Sequence, residues 1–159
     1  MTHDLLDQRG LTLMGFWIFI VHAAATWFMT GVIWFVQVVH YPLFASIGGE
    51  KFAEYEKSHQ RLATFIVLPA MVIEAGAAMI IAVRRPDRIE SWIPWAGLVL
   101  LAVIWLSTFL SQVPQHEKLA RGYDPTAHAL LVSSNWVRTI AWSGRSFLAA
   151  LLLYQLMAN

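Results

Sequence analysis

One long stretch near the N-terminus is almost free of ionisable side chains, and this constrains the fold more than any other feature. Between Arg9 and Glu50, the imidazoles of His22 and His40 are the only basic groups, and there is no acidic residue. Later apolar stretches carry Glu74 and Arg145 as isolated charges. Because a charge surrounded by lipid is costly, such residues face a bundle interior and pair with one another. The pattern predicts an integral membrane protein with a polar interior.

Composition narrows the class of protein further. Of the 159 residues, 58% are hydrophobic and 13% are charged, with a net charge of +1. No basic patch alternates with aromatic residues, so a nucleic-acid partner is excluded from the expected functions. Cysteine is absent, which excludes thiolate metal sites and iron–sulfur clusters and leaves imidazole, carboxylate and amide groups as candidate ligands.

Four windows are long and apolar enough to cross a hydrocarbon core of about 30 Å, which needs about 20 residues per helix. The sequence therefore predicts an all-α, polytopic membrane protein of one domain. Its fold is an antiparallel four-helix transmembrane bundle whose helices extend beyond the membrane on one side. The predicted helices span about 12–47, 50–83, 91–113 and 125–157, the last beginning at Asp124-Pro125, a good cap followed by proline.

Four crossings place both termini on one side of the membrane. The short loop 84–88 holds three arginines close to the ends of two spans, and arginines in short loops favour the cytoplasmic side. We therefore expect a multi-pass protein of the cell inner membrane, surrounded by lipid bilayer, with cytoplasmic termini. No basic leader precedes the first apolar stretch, which predicts a span and not a cleaved signal peptide.

Polar residues are predicted to meet at the membrane face where helices one and three end and helices two and four begin. His40 precedes Tyr41-Pro42, and His116 follows Pro114 in the same way, so proline fixes the backbone beside each imidazole. We interpret His40, His116 and Arg138 as candidate catalytic residues. The candidate ligand-binding residues at this face are Gln37, Tyr41, Gln112, Asn135 and Trp136.

A second polar layer is predicted near the middle of the membrane. Counting inward at about 1.5 Å per residue places His22, Glu74 and Arg145 at similar depth on three helices. Glu74 and Arg145 are expected to pair, with His22 donating to Glu74 or relaying its proton. The alternative to such a relay is a buried ion pair that only fixes helix register.

The histidines are compatible with more than one kind of cofactor. His40, His59 and His116 are candidate metal ligands, and facing imidazoles could hold a b-type haem, although His22 has no histidine partner at its own depth. For His59 and His128 the alternative is a hydrogen bond to loop backbone. The cofactor is therefore none, a His-ligated metal or a haem.

Short motifs add a family resemblance. The strings GVIWFVQVVHYPLF (31–44), QVPQH (112–116) and NWVRT (135–139) resemble a group of small bacterial four-helix membrane proteins of unknown function. They are also similar to the anthrone oxygenase-like family, whose polyketide members oxidise anthrones without an evident cofactor. The resemblance implies a membrane-embedded pocket for a flat, hydrophobic, oxidisable molecule.

These observations lead to one functional hypothesis and two alternatives. The hypothesis is a membrane protein that binds a small hydrophobic or redox-active ligand at its polar face, as an oxidoreductase or oxygenase. The first alternative is a non-catalytic subunit that fixes packing in a larger membrane complex or homo-oligomer. The second is a b-haem or metal-binding membrane protein.

Overall fold

The computed structural model describes the backbone of residues 2–158 and the side chains of residues 15–158, and within this part the chain forms helices, turns and short loops without strands. Helix α1 spans Thr2–Phe35 and continues through a π-helical turn (Val36–His40), an α-helical turn (Tyr41–Leu43) and a 3-10 turn (Phe44–Ser46). Helix α2 spans Gly49–Arg84. Helix α3 spans Trp92–Ser107 and continues through a π-helical turn (Thr108–Gln112) and Val113–Leu119. Helix α4 spans Pro125–Met157.

Three of these helical stretches are long and apolar enough to cross a membrane: Gly15–Ser46, Gly49–Arg84 and Trp92–Leu119. Their outward faces carry large apolar side chains, such as Phe65 at 81% exposure and Leu110 at 75%. This composition fits a multi-pass membrane protein. Helix α4 has the length but not the apolar composition, because polar residues recur along it.

Proline explains where the helices depart from the predicted bounds. The third helix does not end at residue 113, because the chain passes Pro114 and remains helical to Leu119. A π-helical turn ends two residues before Pro114, and another ends two residues before Pro42. Proline lacks an N–H group and its ring clashes with a preceding carbonyl, and a wider turn accommodates both defects. The helical chain therefore continues through Pro42 and Pro114 instead of stopping.

Helix α4 begins where the sequence predicted. The Asp124 carboxylate accepts hydrogen bonds from the backbone N–H groups of Thr126, at 2.8 Å, and Ala127, at 3.1 Å, and Pro125 occupies the first helical position. These contacts satisfy donors that would otherwise lack partners at the helix start. The cap therefore fixes the register of the helix that carries the buried side chains of Asn135, Arg138, Thr139 and Arg145.

Apolar and polar layers alternate along the helices. Three apolar clusters are centred on Phe19 with Leu152, on Met29 with Trp142, and on Phe44 with Phe52. Between the first two lies a polar group that we call the central cluster: His22, Thr26, Glu74, Trp142 and Arg145. Between the second and third lies the rim cluster: His40, Tyr41, Glu56, His59 and His116. Each polar layer is thus closed off by apolar packing on both sides.

Candidate functional site

A cavity of about 300 Å³ adjoins the rim cluster and is bordered by α1, α2 and α3, with Arg138 contributed by α4. The cavity extends about 12 Å along α2, since His59 and Val67 both line it and a helix rises 1.5 Å per residue. The inner part is walled by apolar side chains, including Met29 and Ile33. The polar residues that line the cavity are Tyr41, His59, Gln60, Thr64, Thr108, Gln112, His116, Glu117 and Arg138.

A phenol, an imidazole and a carboxylate form a continuous hydrogen-bonded chain beside this cavity. His116 Nε2 lies 2.8 Å from the Tyr41 hydroxyl, and His116 Nδ1 lies 2.6 Å from Glu56 Oε1. An ionised carboxylate only accepts hydrogen bonds, so Nδ1–H donates to Glu56 and Nε2 of the neutral ring accepts from Tyr41. The chain can therefore take a proton from the cavity through Tyr41.

Gln60 holds the Glu56 end of this chain in place. Its Nε2 donates to Glu56 Oε1 at 3.0 Å and to the backbone carbonyl of His116 at 2.8 Å. Glu56 is fully buried, and its second oxygen has no hydrogen-bond partner among the described residues. A carboxylate oriented in this way fixes the tautomer and orientation of the imidazole, as in other base–orienter pairs.

The sequence did not identify Glu56 or Gln60 as site residues, since segment 50–61 was interpreted as a polar extension of helix two. A signal was present in the spacing. Phe52, Glu56, His59 and Ala63 follow one another at intervals of four, three and four, which is one face of a helix. A carboxylate on the stripe that carries Phe52 and Ala63 points inward with them.

The other two predicted imidazoles form a separate pair. His40 Nε2 lies 3.0 Å from His59 Nδ1, so one ring donates and the other accepts. The ring of His59 is also 5.4 Å from that of His116, measured between centroids. His40 does not line the cavity and is not hydrogen-bonded to His116. The expected direct contact between His40 and His116 is therefore absent, and the His59 ring lies beside both of them.

The prediction of a metal site at His40, His59 and His116 finds no support. Within the described part of the chain, no group of three or more His, Asp or Glu residues is arranged to hold a metal ion. Both ring nitrogens of His116 are occupied by Tyr41 and Glu56, and the nearest nitrogens of His40 and His59 face each other. His116 therefore has no ring nitrogen left for a metal, and the facing nitrogens of His40 and His59 are used in their mutual hydrogen bond.

His128 hydrogen-bonds to backbone, which is the alternative role predicted for it from the sequence. Its Nε2 lies 2.7 Å from the backbone carbonyl oxygen of Tyr41, and its Nδ1 lies 3.3 Å from the Tyr123 hydroxyl. The imidazole therefore ties the start of α4 to the helical turn at Tyr41 that follows α1. This contact positions Tyr41 rather than adding a group to the cavity.

Three of the predicted ligand-binding residues do not reach the cavity. Asn135 Nδ2 donates to Gln37 Oε1 at 2.9 Å, and Gln37 Nε2 donates to the carbonyl of Val132 at 3.2 Å, so the two amides are used in α1–α4 packing. Trp136 is 43% exposed and packs edge to face on Trp34. Of the five predicted ligand-binding residues, Tyr41 and Gln112 line the cavity.

Gln112 presents an unused acceptor to the site. Its Nε2 donates to the Ser134 hydroxyl at 2.7 Å, while its buried Oε1 has no hydrogen-bond partner among the described residues. The π-helical turn that ends at Gln112 sets the direction of this side chain. A ligand with a hydroxyl group could satisfy this oxygen, since buried polar atoms normally have partners.

Arg138 is the cationic group of the cavity. The residue is 7% exposed, and its Nε has no hydrogen-bond partner within the described part of the chain. Its guanidinium carbon lies 5.3 Å from the centroid of the Trp142 ring, a cation–π distance. Among the described side chains, Glu56 is hydrogen-bonded to His116 and Glu74 forms an ion pair with Arg145, and no carboxylate pairs with Arg138.

The central cluster is a closed network around one carboxylate. Arg145 Nε donates to Glu74 Oε1 at 2.8 Å, and Thr26 and Trp142 donate to Glu74 at 2.8 and 3.1 Å. The Arg145 guanidinium also donates to the carbonyl of Gly97. Both charges are almost fully buried, and donors from α1 and α4 converge on Glu74 of α2. The network thus joins all four helices.

His22 has a different neighbour from the one predicted. Its Nε2 lies 3.4 Å from Arg145 Nη2, while the position next to Glu74 is taken by Thr26. A neutral His22 ring can accept a hydrogen bond at Nε2 from the Arg145 guanidinium. The expected proton relay from His22 to Glu74 has no direct contact to support it.

Comparisons of the chain with protein-family models, with curated proteins and with solved structures found no match. The similarity to the anthrone oxygenase-like family therefore stays a prediction from short motifs.

Proposed function

We propose that this protein is a four-helix integral membrane protein that binds a small hydrophobic ligand in the cavity beside the rim cluster and exchanges a proton with it through Tyr41. The observation that carries the proposal is the cavity itself, which joins an apolar inner wall to a phenol–imidazole–carboxylate chain and a buried guanidinium. Its volume of about 300 Å³ lies at the small end of the range for ligand pockets. The geometry favours an oxidoreductase or oxygenase that acts on a small ring system.

The proposed membrane arrangement is an antiparallel bundle with four crossings. Contacts support it, because Thr30 meets Ser146 while Gln37, further along α1, meets Asn135, earlier in α4. Helix α4 also exposes Ile140 at 67% and Phe147 at 69%, as a lipid-facing helix does. We propose that α1 and α2 extend beyond the lipid at the rim cluster. Both termini then lie on the opposite side, which we propose is the cytoplasm.

The chemistry that fits these groups is deprotonation of an acidic C–H or O–H group of the ligand. The proton passes to the Tyr41–His116–Glu56 chain, and the oxyanion that forms is stabilised by Arg138, as a preorganised donor does in other enzymes. For an anthrone the enolate would then react with dioxygen, which is the oxidant and leaves one oxygen atom on the ring, and the chain would return its proton so that the products are the anthraquinone and water. This reaction class comes from the family resemblance, and the base and the cation come from the site.

Binding is tested first. Purified protein in phosphatidylcholine nanodiscs is titrated with 1-naphthol, and its affinity is measured by naphthol fluorescence. Ala63 lines the cavity, so Ala63→Phe should abolish binding, whereas Ala150→Phe, on an exposed position of α4, should not. Equal binding by both variants and the wild type would remove the cavity from the proposal.

Turnover is tested second. Anthrone-dependent oxygen uptake is followed with an electrode, and anthraquinone by absorbance. Tyr41→Phe removes the hydroxyl that begins the proton chain, and Tyr154→Phe is the matched control because Tyr154 is 66% exposed and outside the cavity. The proposal expects loss of turnover in the first variant alone. Oxygen uptake that is absent from wild-type protein with confirmed naphthol binding would exclude this reaction and leave a binding protein.

A further inference from the structure

We infer that the cavity holds its ligand as a singly charged anion, with the negative oxygen at Arg138 and an apolar body along the inner wall. The chemical class is a hydrophobic carboxylate or phenolate with one acidic group. This inference rests on the proposed function, because it names the ligand class of the same cavity.

The charge of the site points to an anion. Arg138 is more than nine-tenths buried, lines the cavity and has an Nε without a hydrogen-bond partner among the described residues. An isolated cation in an apolar interior is costly unless a counter-charge is present. The two buried carboxylates of the described chain are engaged elsewhere, Glu56 by His116 and Glu74 by Arg145. Since no described carboxylate pairs with Arg138, a bound anionic ligand would supply the counter-charge.

The Trp142 ring favours the same conclusion. It supports the charged form of Arg138 from one side at 5.3 Å and is itself held by the hydrogen bond to Glu74 Oε2. A ring on one face of the guanidinium leaves the N–H donors on its edge uncovered, and the Nε–H on that edge has no partner among the described residues. Guanidinium edges bind carboxylate and other oxyanions through parallel hydrogen bonds.

The apolar inner wall indicates that the part of the ligand away from Arg138 is hydrophobic. Met29, Ile33 and Val67 from α1 and α2 line the cavity and offer no polar partner for a second charged group. Glu117, the acidic residue at the cavity, is exposed and would repel a second anionic group near the opening. One charge on one apolar body is the complementary ligand.

The experiment compares two probes that differ in charge but little in shape. Decanoate and decanol are titrated into full-length protein in phosphatidylcholine nanodiscs, and their affinities are measured by competition with 1-naphthol. A charge-assisted hydrogen bond predicts a preference for decanoate of about tenfold or more. Arg138→Gln should abolish this preference and Arg138→Lys should keep part of it, whereas Arg84→Gln, at the far end of α2, should keep all of it.

A second variant covers the case in which Arg138→Gln does not fold. Gln112→Glu is isosteric and adds a carboxyl group to the cavity wall, so it should weaken decanoate binding and leave decanol binding unchanged. Repeating the titration in phosphatidylglycerol nanodiscs separates the two sources of the anion. Loss of decanoate binding there identifies a lipid headgroup as the occupant, and unchanged binding identifies a free hydrophobic acid; both support an anion site.

The failures of the two proposals differ. Equal affinities for decanoate and decanol that no Arg138 or Gln112 variant changes would overturn the anion inference and leave a cavity for neutral ligands. If neither these probes nor 1-naphthol binds, the proposed function fails as well.

Discussion

The ring of Trp142 lies against the guanidinium of Arg138, with 5.3 Å between the guanidinium carbon and the ring centroid. The same indole donates from Nε1 to Glu74 at 3.1 Å. Trp142 is fully buried, and its ring packs in the apolar layer with Met29 while its N–H group reaches into the central cluster. One side chain thus connects the cation of the cavity to the carboxylate of the central cluster. The closed central network serves as a rigid support for the group that faces the ligand.

Replacing Trp142 by Phe tests this connection. The Phe ring retains apolar packing under Arg138 but leaves Glu74 Oε2 without the indole donor. A buried carboxylate oxygen that loses a partner costs about 1–3 kcal/mol, so the unfolding temperature should fall. The thermal midpoint is measured in detergent, with Trp136→Phe on the exposed face as the control. Equal midpoints for the two variants would mean that the hydrogen bond to Glu74 has no structural role.

The central ion pair allows a stronger test. Glu74→Gln leaves Arg145 with no carboxylate in a dry interior, which should cost about 3–5 kcal/mol. The double variant Glu74→Met with Arg145→Met removes both charges and should recover most of this loss. Thermal midpoints and retention as a folded species on size-exclusion chromatography provide the measurement. If the double variant is less stable than Glu74→Gln, the loss of the carboxylate as acceptor for donors such as Thr26 matters more than the unpaired charge of Arg145.

Glu56→Gln separates proton chemistry from folding. The amide fills the same space and can still accept from His116 and Gln60, but it cannot stabilise the imidazolium that forms when His116 takes a proton. Loss of a positioned base typically costs about 10²–10⁴-fold in rate. Turnover of anthrone should therefore fall by this factor while 1-naphthol affinity and the thermal midpoint change little. A matched control is Glu54→Gln, two residues from Glu56 and on the exposed side of α2. A parallel loss of stability and turnover would instead assign Glu56 a packing role.

The elements that the sequence predicted best are those fixed by local chemistry. The start of α4 follows from Asp124 and Pro125, and the buried partners Glu74 and Arg145 follow from the cost of lone charges in apolar segments. The existence of the helices was likewise visible in composition. In each case the information lies within one helix or in a penalty that does not depend on detailed geometry.

The details of the site could not be predicted because they depend on side-chain direction. A π-helical turn adds a residue to the helical repeat, so the spacing of Gln37, His40 and Tyr41 no longer places them on one face. This shift turns Gln37 into α4 packing and leaves Tyr41 at the cavity. Glu56 was missed because its segment is rich in charge, although its neighbours at helical spacing are buried.

The two π-helical turns give a last prediction. Pro42→Ala restores an N–H group and removes the ring clash, so the turn at Val36–His40 should relax towards a regular α-helix and rotate Tyr41 relative to the residues before it. Pro114→Ala should act in the same way on Gln112. Both variants should keep or raise helix stability but weaken 1-naphthol binding. Pro69→Ala is the control, since Pro69 lies inside the regular helix α2. Unchanged affinity in all three would mean that these turns do not set the geometry of the cavity.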